Sequence, residues 1–111
     1  MEIKEFEKSK VFNFAKMVNY SENAIVSTTA LKKETGNVGL FAFDKGQGLS
    51  EHTAPFDALI QVIDGEAEII IGGNPYQVKS GESIIMPANI SHAVKATEKF
   101  KMILTMIKNT K

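Results

Sequence analysis

Hydrophobic and polar residues come in short bursts along this chain, separated by glycine, proline, asparagine or clustered charge. Residues 24–31 (AIVSTTAL), 38–43 (VGLFAF), 59–63 (LIQVI), 66–71 (EAEIII), 76–79 (YQVK), 83–86 (SIIM), 92–96 (HAVKA) and 100–107 (FKMILTMI) favour strands. β-Branched and aromatic side chains suit a pleated, half-buried surface. The breaks between these runs carry turn chemistry: KKETGN at 32–37, DKGQG at 44–48, GGNP at 72–75 and Ser80-Gly81. Asp64-Gly65, set between two apolar runs, predicts a tight hairpin turn. Strands this short, with turn signals roughly every eight to twelve residues, predict an antiparallel all-β sandwich or barrel. Residues 11–18 (VFNFAKMV) fit neither period and predict either one short N-terminal helix or an edge strand. Residues 1–10 predict a polar arm that Ile3 and Phe6 could pin to a surface. Residues 100–107 leave a helical alternative open through Met and Leu, but a strand is preferred.

Several of these runs are apolar at consecutive positions and therefore on both strand faces, as in Leu59, Ile60, Val62 and Ile63. An antiparallel sheet needs only one buried face. The second face requires a cover: the N-terminal arm, a second sheet, or another copy of the chain. A homodimer is the expectation.

Length and charge narrow the class. At 111 residues the chain is expected to form one domain, residues 1–111. Thirteen basic and thirteen acidic residues cancel, and no basic stripe stands out, so nucleic-acid binding by counterion release is not expected. The apolar runs fall far short of the roughly 20 residues a membrane helix needs. The opening MEIKEFEKSK lacks the apolar stretch of a signal peptide, and a cytoplasmic protein is expected. There is no cysteine, which removes disulfides and thiolate metal sites.

The candidate chemistry lies in two stretches. The first, residues 46–65 (GQGLSEHTAPFDALIQVIDG), and the second, residues 81–92 (GESIIMPANISH), each hold one of the only two histidines. Gly46, His52 and Gly65 fall on the spacing G-x5-H-x-H-x3-E-x6-G. Gly81, Pro87 and His92 fall on G-x5-P-x-G-x2-H-x3-N. In these residues the chain resembles the cupin superfamily, as a small single-domain member with a degenerate metal motif. The resemblance implies an antiparallel jelly-roll β-barrel. It also implies that His52 and His92 stand at two metal-ligand positions. Full members hold a divalent metal through three histidines and one glutamate; here Ala54 replaces a histidine and Ala58 the glutamate. Asn89 and Ala96 replace the glycine and asparagine of the second motif.

Two neutral imidazoles supply no charge to balance a dication, and iron or manganese sites favour added carboxylate. Glu51 and Asp57 neighbour inward positions, so in a regular strand both point away. No cofactor is required by the sequence; His52 and His92 are retained as weak ligands for Zn, Ni, Fe or Mn. Strand parity places Ser50, His52, Ala54, Ala58, Ile60, Val62 and His92 along a mostly apolar cavity. Such a cavity suits a small-molecule ligand. The five methionines are expected as core filler, with a soft, adaptable pocket lining as the alternative.

Three functions remain in view. The chain could be a binding module for a small molecule. It could be an isomerase, cyclase, lyase or metal-dependent oxygenase with His52 and His92 as acid and base or as ligands. It could be a dimerisation domain, which predicts a filled barrel without a pocket.

Overall fold

A computed structural model describes residues 5–108, and its regular structure is almost entirely antiparallel strand. The strands are β1 (Ile25–Lys33), β2 (Gly36–Phe43), β3 (Gly48–His52), β4 (Asp57–Ile71), β5 (Asn74–Lys79), β6 (Ser83–Met86), β7 (His92–Lys95) and β8 (Phe100–Ile107). Ile3 lies outside the described residues. One sheet runs β1-β2-β8-β4-β6 and the other β5-β4-β7-β3, so β4 belongs to both. Residues 100–107 form a strand in the first sheet, paired on both sides.

The hairpin expected at Asp64-Gly65 is absent. β4 continues through this dipeptide and changes sheets there. Its first half pairs with β6 and β8, its second half with β5 and β7. The pairing with β8 slips between Val62 and Asp64. Buried positions accordingly switch from even (Ala58, Ile60, Val62) to odd (Ala67, Ile69). An irregularity of this kind bends a strand and re-aims its side chains. Gly65 takes φ +75°, and an added Cβ would overlap the Lys99 carbonyl oxygen. The Asp-Gly signal thus marked a bend within one strand.

The core fills the space between the sheets. Phe43 and Phe100 stack with ring centroids 4.6 Å apart. Around them pack Ile60, Val62, Ile69, Val94 and Met102. β2 is buried on both faces: Phe41 and Phe43 point into this core, Leu40 and Ala42 away from it. The outward residues, with Ile103, are covered by Phe6 of the arm and by Phe14, Val18 and Tyr20 of the segment that continues it to β1, together the N-terminal arm. Of the three covers weighed for a second apolar face, the arm occupies this one. Residues 11–18 form neither an edge strand nor an α-helix; they hold only a 3-10 turn, Phe14–Lys16. Its aromatic residues are spent on packing, with Phe12 edge-on to both Phe6 and Phe14.

The arm is also anchored at the β4 bend. The Tyr20 hydroxyl donates to Asp64 Oδ2 at 2.5 Å. Burial and the Asp64 carboxylate hold the Tyr20 pKa well above its ordinary value. The ammonium groups of Lys99 and Lys101 approach the Tyr20 ring, and Lys101 donates to the Ala15 carbonyl at 2.6 Å.

The bend yields a prediction. Gly65→Ala combines positive φ with a backbone overlap, whereas Gly46 (φ +90°) has open space around it. Gly46→Ala should cost about 1–2 kcal/mol from left-handed strain alone. Gly65→Ala should cost clearly more, read as a larger loss in urea midpoint. Equal losses would remove the close approach at the bend from the account.

Candidate functional site

The two histidine strands meet at one end of the fold. β3 pairs with β7, placing His52 directly opposite His92, while β7 also pairs with the second half of β4, Ile71 opposite His92. The loop 87–91 is tied down from both sides. The Asn89 amide donates to the Ala54 carbonyl at 2.7 Å, with Asn89 at φ +65°. The Ala88 amide donates to Asp57 Oδ1 at 2.8 Å. The Ser91 hydroxyl donates to Glu51 Oε2 at 3.0 Å, and the Gly72 amide to the Ser91 carbonyl. Glu51 and Asp57 thus serve as staples on the exposed rim.

The imidazoles face each other. Their Nε2 atoms are 3.1 Å apart and the rings meet edge to face. Each Nδ1 has a backbone carbonyl partner, Ser50 for His52 at 2.8 Å and Ile90 for His92 at 3.3 Å. A carbonyl only accepts, so these partners assign the proton to Nδ1 in both rings. Each Nε2 is then left with a lone pair aimed at its counterpart. Two such lone pairs call for something electrophilic between or above them: a proton, a polar ligand group or a metal ion. His92 is buried, His52 exposed. Burial, reinforced by the neighbouring His52, lowers the His92 pKa below its ordinary 6.5, against a smaller opposing pull from the Ile90 carbonyl.

Behind the pair lies a cavity of about 190 Å³ between the sheets. His52, His92, Ala54, Ala58 and Ile60 line it together, as strand parity predicts. Ser50 and Val62 do not. The β3–β7 register slips between Leu49 and His52, which turns Leu49 inward and leaves Ser50 exposed. Ser50 contributes only its backbone carbonyl. Val62 has the expected parity but is buried in the core away from the cavity wall.

Parity from β4 alone missed the remaining wall: Phe56, Met86, Val94, Met102, Leu104 and Met106. Met86 and Met106 both stand directly opposite Ala58. Cross-strand register was the missing signal. Met86, Met102 and Met106 are core filler and cavity lining at once, Met17 is exposed, and Met1 lies outside the described residues. Two larger hollows, about 780 and 350 Å³, run along the N-terminal arm near Phe6 and Phe12. They are clefts more open to solvent than this cavity and hold no histidine.

Residues 39–108 match the cupin domain family. The chain belongs to that family. The cupin is similar over its whole length to a conserved protein of unknown function from Streptococcus pyogenes: 33% identity, TM-score 0.92, covering 100% of this chain and 97% of that one. It is 47% identical to a cupin 2 conserved barrel domain protein from Leptotrichia buccalis, with a TM-score of 0.85. That match covers 87% of this chain and 47% of that one, so the cupin spans about half of that relative's length. It is also 32% identical over 62 residues to an uncharacterised Streptomyces coelicolor protein, 56% of this chain and 59% of that protein.

The donors present match the family's metal shell only in part. His52 and His92 suit two ligand positions, since metal-bound histidines usually fix their other nitrogen on a carbonyl or carboxylate. Among the described residues no third His, Cys, Asp or Glu joins them. Ala54 and Ala58 stand where further donors belong, and Glu51 and Asp57 bond elsewhere. The residues present do not complete an imidazole–carboxylate shell for a hard dication.

The lowered His92 pKa has a measurable consequence. Between that pKa and 6.5, the unfolded chain takes up a proton that folded His92 refuses. Stability therefore falls as pH drops through this window. In chelator-treated buffer the urea midpoint should decrease between about pH 7 and pH 5.5, and the decrease should shrink in His92→Gln. A parent profile and a His92→Gln profile of the same slope would contradict it.

Proposed function

We propose that this cupin is a binding module for a small, largely apolar molecule carrying one polar or acidic group. The supporting observation is the cavity: an apolar chamber whose only polar wall side chains, among the described residues, are two imidazoles converging at its edge. Drug-sized pockets run roughly 300–1,000 Å³, so this chamber suits a smaller ligand. The apolar body would lie against Ile60, Val94 and Leu104. The polar group would meet the Nε2 atoms, where an acidic hydroxyl or carboxyl proton can be shared. A filled barrel, which a purely structural domain predicts, is not what the cavity suggests.

A second reading has one observation in its favour. His92 is held toward its neutral form by burial and by His52. A neutral imidazole beside a bound ligand is equipped to remove a proton rather than to donate one. An isomerase or lyase acting on an acidic C–H would use it in that role.

Thermal shift against short aliphatic and monocyclic aromatic acids and phenols tests the binding function. A ligand at a hundredfold excess over Kd adds about 2.7 kcal/mol of stability, roughly 10 °C in a domain of this size. Ala58→Leu, which fills the chamber, should abolish the shift. His92→Ala should weaken binding at least about tenfold, the cost of one lost charge-assisted contact. Equal shifts in Ala58→Leu and the parent would place the ligand elsewhere; no shift with any probe would end the proposal.

A further inference from the structure

The two converging lone pairs and the methionines of the cavity wall form a donor set that the missing carboxylate does not explain. Ala58 occupies the position where the full cupin motif has its glutamate. Met86 and Met106 both lie directly across from Ala58, one on β6 and one on β8. Residues opposite each other in an antiparallel pair share a sheet face. Both methionines therefore flank the vacated carboxylate position, and both line the cavity with His52 and His92. The small Ala58 side chain leaves space into which the longer, flexible thioethers can reach. A third methionine, Met102, lines the cavity from farther along β8, opposite Val62.

We infer that His52, His92 and the thioethers of Met86 and Met106 form a site for a soft monovalent metal ion, Cu(I). The chemistry follows from the donors. All four are neutral, which disfavours a hard dication but suits a single positive charge in an apolar chamber. Thioether sulfur is a soft ligand that selects Cu(I), while imidazole serves copper and zinc alike. The Nε2 atoms, 3.1 Å apart, can bind one ion side by side, and their Nδ1 atoms are already fixed by the Ser50 and Ile90 carbonyls. That outer support is the arrangement metal-bound histidines show. The loss of the glutamate and the presence of two thioethers around its place thus become one change, from a hard site to a soft one. This site does not require the organic ligand proposed above.

The test is anaerobic Cu(I) titration of the purified protein against a colorimetric Cu(I) chelator, with Zn(II) and Mn(II) titrated in parallel. One Cu(I) per chain, retained against the chelator, is expected, with Zn(II) and Mn(II) bound far more weakly. Met86→Leu with Met106→Leu preserves volume and apolar character, so the fold should persist, read as a near-parent urea midpoint. Cu(I) affinity should fall at least about tenfold, the scale of loss when a metal site loses support. Met102→Leu should leave it unchanged. In the unmutated protein, Ag(I) should shift the methyl NMR signals of Met86 and Met106. No Cu(I) retained, Zn(II) bound as tightly as Cu(I), or parent affinity in the double leucine variant would each overturn the site. Failure of this site shows in the metal titration, and failure of the small-molecule reading in the thermal-shift panel on the unmutated protein, so the two are distinguishable.

Discussion

The structure depends on one strand being able to serve two sheets. β4 does so by bending at Asp64–Gly65, where Gly65 adopts positive φ against the Lys99 carbonyl and leaves no room for a Cβ. The bend reverses which parity of residue faces inward, so both halves of β4 contribute to one core. It also carries the strand from one sheet into the other. Ala58, near one end, and Ile71, paired with His92 at the other, both border the histidine end of the barrel. The arm reinforces the same point through Tyr20 and Asp64. A local backbone constraint thus lets one strand serve the core, line the cavity through Ala58 and Ile60, and pair with the His92 strand.

The site itself is a balance between burial and unmet bonding. The apolar wall surrounds a buried His92, while His52 stands exposed at its edge. The Ser50 and Ile90 carbonyls satisfy one nitrogen of each ring and direct the other toward its counterpart. Neutral imidazoles in this pose have acceptor capacity and no donor to offer each other. The proposed acidic ligand proton and the proposed soft cation would each meet that demand in the same place. Among the described residues most of the wall is aliphatic or thioether, so a bound ligand would find its hydrogen-bonding side chains in these two rings, with shape and size carrying the remaining selectivity.

Much of this architecture could be read from the chain. Alternation and turn chemistry located the strands, and six motif positions identified the family and paired the two histidines. The failures are instructive because each came from a register event. Asp64-Gly65 has the composition of a hairpin turn, but a continuous strand with one irregular pairing uses the same residues. Ser50 and Leu49 exchanged places because β3 slips by one position before His52. Met86 and Met106 could not be assigned to the cavity from β4 parity, since their placement depends on which residues face Ala58 across two other strands. Period-two reasoning is sound within a regular strand and breaks at a bulge. Residues 11–18 fitted no period because their aromatic side chains pack as a cluster beneath an irregular arm.

The central claim is that the pairing of β3 with β7 brings two histidines from separate strands face to face at the edge of an apolar chamber. Proton NMR of the chelator-treated protein tests it directly, through nuclear Overhauser contacts of the imidazole ring protons. The account predicts cross-peaks between the His52 and His92 rings, and from His92 to the methyl groups of cavity residues such as Val94 and Leu104. A His52 ring with no contact to His92, or a His92 ring that touches none of the cavity methyl groups, would contradict it.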